Sequence, residues 1–211
     1  LRDAFHGGRL ELYTNTQPAD ANAAVTGTLL CVVTENSGAH TPEVLSFGTV
    51  QLTGGASGSV DSITVNGVEV LGAAVAFITD LNTTAAAVAA RINAFRGAVG
   101  YVASATTDTV TLTALPGTGV SPNTFAVVST ATTITTTDGA FAGGVDGVNG
   151  LRFGGVSAAG VLEKDAAQIW SGLNLASNTA GWYRFYASVA DTGALDTTAQ
   201  FIREDGSIGT S

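Results

Sequence analysis

The most constraining feature of this 211-residue chain is a change of residue pattern in its middle. Between Gly54 and Gly147 a strand, helix, strand, strand succession lies between two strand-patterned flanks, with glycine-rich joints at both ends. Its expected elements are Ser62–Leu71, Thr83–Phe95, Tyr101–Leu115 and Asn123–Thr136. Because insertion into a surface loop leaves the core of the host intact, we predict a small α+β domain over residues 54–147, inserted into a discontinuous host domain over 1–53 and 148–211.

Local signals inside the insert predict two hairpins and a helix. Asn66-Gly67, between alternating apolar residues, is typical of a type I′ turn, and Thr107-Asp108 is the expected turn of a second hairpin. Thr83 or Thr84 is the expected helix cap and Gly97 the expected helix end. The apolar stripe of the helix consists of Ala85, Val88, Ile92 and Phe95. We therefore expect one helix on one face of a small antiparallel sheet.

The two flanks predict six or seven short strands with turns between them, a pattern typical of a β-sandwich or jelly roll. The expected strands are Arg9–Thr14, Leu29–Thr34, Val44–Leu52, Leu151–Phe153, Val156–Asp165, Trp182–Val189 and Thr198–Arg203, after a helix end at Leu1–His6. Alternation along the most aromatic strand places Trp182, Arg184 and Tyr186 on one face and Tyr183 and Phe185 on the other. The expected fold is mainly β: a β-sandwich or jelly-roll-like host interrupted by a small α+β insert.

Charge and composition exclude two classes of partner. Charged residues make up only 12% of the chain, the net charge is −9, and Lys164 is the single lysine. A nucleic-acid-binding protein needs a basic face to neutralise phosphates, and the same shortage disfavours anionic membranes. No apolar run approaches the ~20 residues of a membrane-spanning helix, and no signal peptide is visible. Because the chain has no methionine, we expect it to continue before Leu1, and we also expect a continuation after Ser211.

The sequence does not contain the common catalytic motifs. There is no Gly-x-Ser-x-Gly, Gly-Lys-Ser/Thr or His-Glu-x-x-His pattern, and His6 and His40 fall in different loops. Cys31 is the single cysteine, so the chain can form no internal disulfide, and its apolar strand predicts a buried, inert thiol. We therefore expect no enzymatic activity, no catalytic residue and no cofactor.

Two groups of carboxylates allow a calcium hypothesis. Glu163 and Asp165 flank Lys164, and Asp138 and Asp146 lie near the end of the insert. Hard oxygen ligands in flexible loops suit Ca²⁺, but acids in solvated turns also maintain solubility. The sequence leaves both interpretations open, and we assign no metal ligand.

Large aromatic side chains allow a second hypothesis. Trp170, Trp182 and Tyr186 could form a flat platform for sugar rings, and Arg184 could pair with an acid or stack on a ring. The alternative is that these side chains fill the core, since aromatic residues are only 7% of the chain. Nothing in the sequence decides between the two.

Ordered blocks in both flanks resemble small structural proteins of tailed bacteriophages and prophages. These blocks are Arg9–Ala24, Thr26–Leu30, Leu151–Gly154, Ala159–Lys164, Ile169–Gly172 and Thr179–Ala187. The resemblance covers residues 9–52 and 148–211. The insert is similar instead to a β/α module found within phage tail and surface proteins, in Ile63–Gly67 and Pro116–Gly119.

The resemblance implies a non-enzymatic virion component, assembled in the bacterial cytoplasm as a homo-oligomer or in many symmetric copies. Its partners would be the major capsid protein or other virion proteins. A capsid decoration protein is the favoured form. A tail- or neck-associated protein and a carbohydrate-binding module of a receptor-binding fibre are the alternatives. Partner contact is expected in the loop Thr16–Thr28 and in the segment Trp170–Trp182, through the candidate residues Gln17, Pro18, Asp20, Trp170, Trp182, Arg184 and Tyr186.

Overall fold

The computed structural model describes residues 2–95, 100–157, 161–197 and 201–209, and the helix end expected at Gly97 lies outside them. As predicted, the chain is mainly β, with antiparallel sheets and, within these residues, one helix longer than a single turn. It divides into two compact units, Leu1–Val44 with Asp146–Ser211 and Leu45–Val145. These are called the host unit and the insert unit below.

The helices and strands follow one another through both units. In chain order they are α1 (Arg2–Phe5), β1 (Arg9–Tyr13), β2 (Leu29–Glu35), β3 (Phe47–Gly54), β4 (Ser59–Val65), β5 (Val68–Glu69), β6 (Val75–Ala76), α2 (Leu81–Phe95), β7 (Tyr101–Thr106), β8 (Thr109–Ala114), β9 (Val127–Thr132), β10 (Thr135–Ala142), β11 (Phe153–Ser157), β12 (Val161–Lys164), β13 (Trp170–Asn174), β14 (Trp182–Tyr186) and β15 (Arg203–Ser207).

The host unit is built on a five-stranded antiparallel sheet in the order β13-β2-β1-β14-β15, and β11 and β12 form a separate hairpin. Because side chains alternate between the two faces of a strand, β1 and β14 each contribute to both. One face carries an apolar cluster around Phe5, Leu151 and Phe185, with Leu10 and Phe153 packed against it. The other face carries the polar groups described in the next section.

The insert unit contains two small sheets and the long helix. One sheet has the order β10-β3-β8-β7, and the other has the order β5-β4-β6, with β9 also paired to β4. Helix α2 packs against β7, β8 and β3, so the predicted packing of one helix on a sheet is confirmed. The shared core includes Val50, Leu52, Val60, Ile63, Val65, Ala85, Val88, Ala89, Ile92, Val110 and Leu112. Both predicted hairpins are also present, with positive φ at Asn66, Gly67 and Thr107.

The start of α2 differs from the prediction. The helix begins at Leu81, and the cap is Asp80, whose carboxylate accepts a hydrogen bond from the Thr83 amide at 2.7 Å. The Thr84 side chain is buried and instead donates to the carbonyl of Asp80 at 2.7 Å. Thr83 and Thr84 therefore lie inside the first turn, and an acidic residue provides the N-cap that threonine was expected to provide.

The division between the units falls before β3, whereas the sequence placed it at Gly54. Strand β3 pairs with β8 and β10, so residues assigned to the host by their pattern form the centre of an insert sheet. The expected strand Asn123–Thr136 is broken at Thr133, where φ is +69°, and a further strand, β10, follows the break. No helix in the described ranges is long and apolar enough to cross a membrane, and α2 has only 15 residues.

Candidate functional site

The predicted contact residues Trp182, Arg184 and Tyr186 share one face of the host sheet, as their alternation indicated. In the β1–β14 ladder, Tyr13 lies opposite Trp182 and Glu11 lies opposite Arg184. The Tyr13 and Trp182 rings are stacked with centroids 4.6 Å apart. All three predicted residues have side chains that are fully buried. Their assignment to partner contact is therefore wrong, because loops of the host unit already cover this face.

Two arginines bind those loops to the sheet. Arg184 donates to both carboxylate oxygens of Asp205, at 2.6 and 2.7 Å, and to the carbonyl of Ala23 at 3.0 Å. Arg203 makes the same fork-to-fork pair with Asp191, at 2.7 Å for both bonds, and reaches the carbonyl of Ala21 at 3.2 Å. Planar guanidinium groups suit such bidentate pairing. The arginines thus hold residues 21–23 and Asp191 against the sheet.

A phenol–carboxylate chain continues this network across β1. The hydroxyl of Tyr13 donates to Glu11 and lies 3.3 Å from that of Tyr186. Arg9 donates to Glu11 at 2.6 Å, and its guanidinium lies 4.1 Å from the centroid of the Tyr186 ring. Burial, followed by the hydrogen bonds to Glu11 and Tyr186, raises the pKa of Tyr13 far above its ordinary value. Burial likewise raises the pKa of Tyr186, so both phenols stay protonated at neutral pH.

The buried positions also remove the basis for a sugar platform. A sugar ring needs an exposed aromatic face to stack on. The faces of Trp182 and Tyr186 contact Tyr13 and Arg9 instead, and both side chains have no accessible surface. Of the two interpretations that the sequence left open, core packing is the one that these contacts support.

Trp170 is half-buried and lies on the opposite, apolar face. Its indole nitrogen donates to Gln168 at 3.0 Å, and its ring packs edge-on against Phe153 at 5.2 Å. It lines a cavity of about 340 Å³ whose other walls are mostly apolar, among them Leu10, Leu162 and Phe185. Trp170 therefore belongs to the packing between the sheet and the β11–β12 hairpin.

The loop residues Gln17, Pro18 and Asp20 remain at the surface. Gln17 and Pro18 are half-buried and Asp20 is exposed. The Asp20 carboxylate accepts hydrogen bonds from the amides of Asn22 and Ala23, at 2.8 and 3.0 Å, and so closes a local turn. These three residues are accessible to a partner, and their role in contact stays a prediction.

The predicted contact segment Trp170–Trp182 contains an exposed apolar surface on the edge strand β13, which the sequence analysis did not single out. Ile169, Leu173 and Leu175 are 63%, 65% and 60% exposed, although all three are large and apolar. Leu173 and Leu175 also line a groove of about 500 Å³, together with Val32, Pro42 and His40. The sequence contained a signal for this surface, because the apolar residues Ile169, Leu173 and Leu175 all fall on alternate positions and residues 166–183 carry no charge.

Two of the carboxylates considered as calcium ligands accept hydrogen bonds from nearby residues. Asp165 accepts from the Ala167 amide at 2.9 Å, and Asp138 accepts from both the amide and the hydroxyl of Ser129, at 2.8 and 2.7 Å. Asp138 and Asp146 belong to different units. Among the described residues, no three acidic, histidine or cysteine side chains form a group that could hold a metal ion.

The histidine and cysteine side chains lie in separate places. The His40 Nε2 is 3.1 Å from the carbonyl oxygen of Gly7, and burial lowers the pKa of this imidazole. The Cys31 thiol is partly buried, less than the sequence suggested, and burial raises its pKa. Both effects favour the neutral form of the side chain at neutral pH.

Comparisons of the chain with protein-family models, with curated proteins and with solved structures gave no match.

Proposed function

We propose that this chain is a non-enzymatic structural protein of a tailed-phage particle, and specifically a capsid decoration protein that binds the outer shell. The observation that carries the proposal is where the phage-like blocks lie in the fold. Blocks that are far apart in sequence contribute all of β1 and β14, three residues of β13 and the first two residues of β2, and these strands are consecutive neighbours in one sheet. Four of the six blocks thus meet in one sheet, which supports the proposal.

The insert supports a role in presentation. Residues 45–145 form a compact unit with its own core, and the chain enters and leaves it from the host unit. Such an arrangement adds a second surface without altering the first. In the proposed role the host unit binds the shell, through loops such as the one holding Gln17, Pro18 and Asp20, and the insert unit faces outward.

A contact of this kind gains its total strength from being repeated in many copies of the protein. A decoration protein binds a symmetric lattice in many copies, so each copy needs only a modest interface. Two of the arginines that could attract a partner are used internally, because Arg184 and Arg203 are both paired and buried. The proposed shell contact therefore relies on shape, on apolar area and on exposed polar loops.

Copy number tests the decoration role. Purified particles would be digested and measured by quantitative mass spectrometry, with peptides of the major shell protein and of one tail protein as internal references. We expect a number of copies comparable to that of the shell protein. A number close to that of the tail protein would overturn the decoration role in favour of the tail or neck alternative. Absence from the particles would overturn the virion assignment.

A fibre module that binds carbohydrate is no longer supported by a specific feature. That hypothesis depended on an exposed aromatic surface formed by Trp182 and Tyr186, and both side chains are buried. We therefore do not propose it as a second function.

A further inference from the structure

We propose that β13 is a homodimerisation strand, which pairs antiparallel with β13 of a second copy of this chain and joins the two host sheets into one. Within the described residues β13 pairs only with β2, so its other side is an open edge of the sheet. An open edge presents unpaired N–H and C=O groups that can accept a further strand.

The two edges of the host sheet differ in how they are protected. At one edge, β15 carries the exposed charge of Glu204, and an exposed charge is a common way to prevent edge pairing. At the other edge, β13 has no charge and no proline, and its register with β2 runs without a bulge from Trp170 to Asn174. Only the β13 edge therefore lacks the features that keep strands apart.

The backbone geometry fixes which residues can pair. The Leu175 amide donates to Leu30 and the Ile169 carbonyl accepts from Asn36, so the odd-numbered residues direct their backbone groups toward β2. By alternation, Trp170, Gly172 and Asn174 direct theirs to the open edge. A two-fold axis through Gly172 places Gly172 opposite its own equivalent and Trp170 opposite Asn174 of the second copy. Each outward-directed residue therefore lies opposite another outward-directed residue.

The same axis matches the exposed apolar side chains. With Gly172 opposite Gly172 of the second copy, Ile169 lies opposite Leu175, and Ser171 lies opposite Leu173. Ile169, Leu173 and Leu175 are on the same face, so the two copies would bring their large apolar side chains into one row, with Ser171 beside Leu173. The strand is thus complementary to itself, which is the requirement of an isologous two-fold contact.

The uncharged segment around β13 permits a second copy as the occupant, although the net charges of the two copies oppose it. Two copies that each carry −9 repel one another, so they can approach only through an uncharged surface. Residues 166–183 are such a surface. One strand pair buries less than the roughly 800 Å² per partner of a standard stable interface. We therefore expect a weak dimer, with a dissociation constant in the micromolar to millimolar range, that becomes populated when copies are concentrated.

Sedimentation equilibrium over a wide concentration range tests the pairing. We expect the 21.0 kDa chain to associate reversibly to a dimer. Leu173→Lys should weaken this association at least ten-fold, because an isologous contact contains the change twice. Leu195→Lys is the matched control, since Leu195 is 64% exposed but lies in a loop that bonds to Asn22 and does not line the groove beside β13. A chain that stays monomeric, or an association that Leu173→Lys leaves unchanged, would overturn the proposal.

Disulfide trapping tests the register. In a Cys31→Ala background, Ile169→Cys in one preparation and Leu175→Cys in another would be mixed under mild oxidation. A two-fold axis through Gly172 brings these positions within disulfide reach, whereas either position is about 20 Å from its own equivalent. We expect a cross-linked dimer from the mixture and none from each variant alone. Equal cross-linking by the separate variants would contradict the proposed register.

The pairing would provide lateral contact between copies on a particle, but it goes beyond the proposed function and is measured without particles. A dimer in solution with no protein in virions would refute only the decoration role. A monomeric chain that is abundant in virions would refute only the pairing.

Discussion

The buried Arg184–Asp205 pair makes the host unit sensitive to a single substitution. The side chain of Arg184 has no exposed surface, and that of Asp205 is 3% exposed. Arg184→Gln removes both short bonds to the carboxylate and the bond to Ala23, and leaves a buried carboxylate without its cation. Breaking such a pair costs about 3–5 kcal/mol. That is a large share of the ~5–15 kcal/mol by which a domain is stable.

Tryptophan fluorescence during urea unfolding is the suitable assay. Both tryptophans, Trp170 and Trp182, belong to the host unit, so their emission reports this unit separately from the insert. With an m-value of about 1.5 kcal/mol/M, the expected loss lowers the urea midpoint by about 2–3 M. Arg152→Gln is the matched control. Arg152 is 48% exposed and lies 4.0 Å from Glu35, so its loss should cost less than about 1 kcal/mol.

A midpoint for Arg184→Gln close to that of Arg152→Gln, with an unchanged m-value, would refute this reasoning. The double variant Arg184→Met/Asp205→Leu gives an independent check. Replacing both members of a buried ion pair by apolar residues is often neutral. We therefore expect the double variant to be more stable than Arg184→Gln, although the bond to the Ala23 loop is still lost.

Two predictions concern the insert unit. Gly48→Ala should destabilise it by about 1–3 kcal/mol, measured by amide exchange of β3, because a Cβ at this position would lie 2.6 Å from the buried ring of Phe141. Burial raises the pKa of Glu69, but bonds from Ser62 and from backbone amides outweigh it and hold this pKa below the ordinary 4.5. The stabilisation is therefore complete above about pH 4.5 and is lost as the pH falls through the lower folded value. The protection of the Leu71 amide from hydrogen exchange, corrected for the pH dependence of the intrinsic exchange rate, should fall over this pH range in the wild type but not in Glu69→Gln. Identical pH profiles for the two proteins would contradict the assignment.

Local signals predicted local structure well. The Asn66-Gly67 and Thr107-Asp108 turns need only their own residues to favour positive φ, and both form where expected. Of the predicted stripe, Ala85, Val88 and Ile92 are buried as their spacing indicated, and Phe95 is half-buried at the end of the helix. The break at Thr133 gave no signal, because threonine rarely adopts positive φ and the surrounding strands impose it.

The candidate site was harder to predict because it depends on contacts distant in sequence. Alternation correctly placed Trp182 and Arg184 on a common face of the sheet. It could not predict that loops of the host unit would cover this face. Arginine is normally exposed, and Arg184 is buried because Asp205 and the loop at Ala23 meet it. Strand β13 was missed for a related reason, since Gly172 and Asn174 are poor strand formers and the open edge of β2 selects the extended form.

Immunogold electron microscopy of purified particles tests the central proposal most directly, with an antibody raised against residues 60–145 of the insert unit. We predict dense label distributed over the heads, which would support both the decoration role and an outward-facing insert. Label confined to the tail or neck would contradict the decoration role. Absence of label on particles that contain the protein would contradict the outward position of the insert.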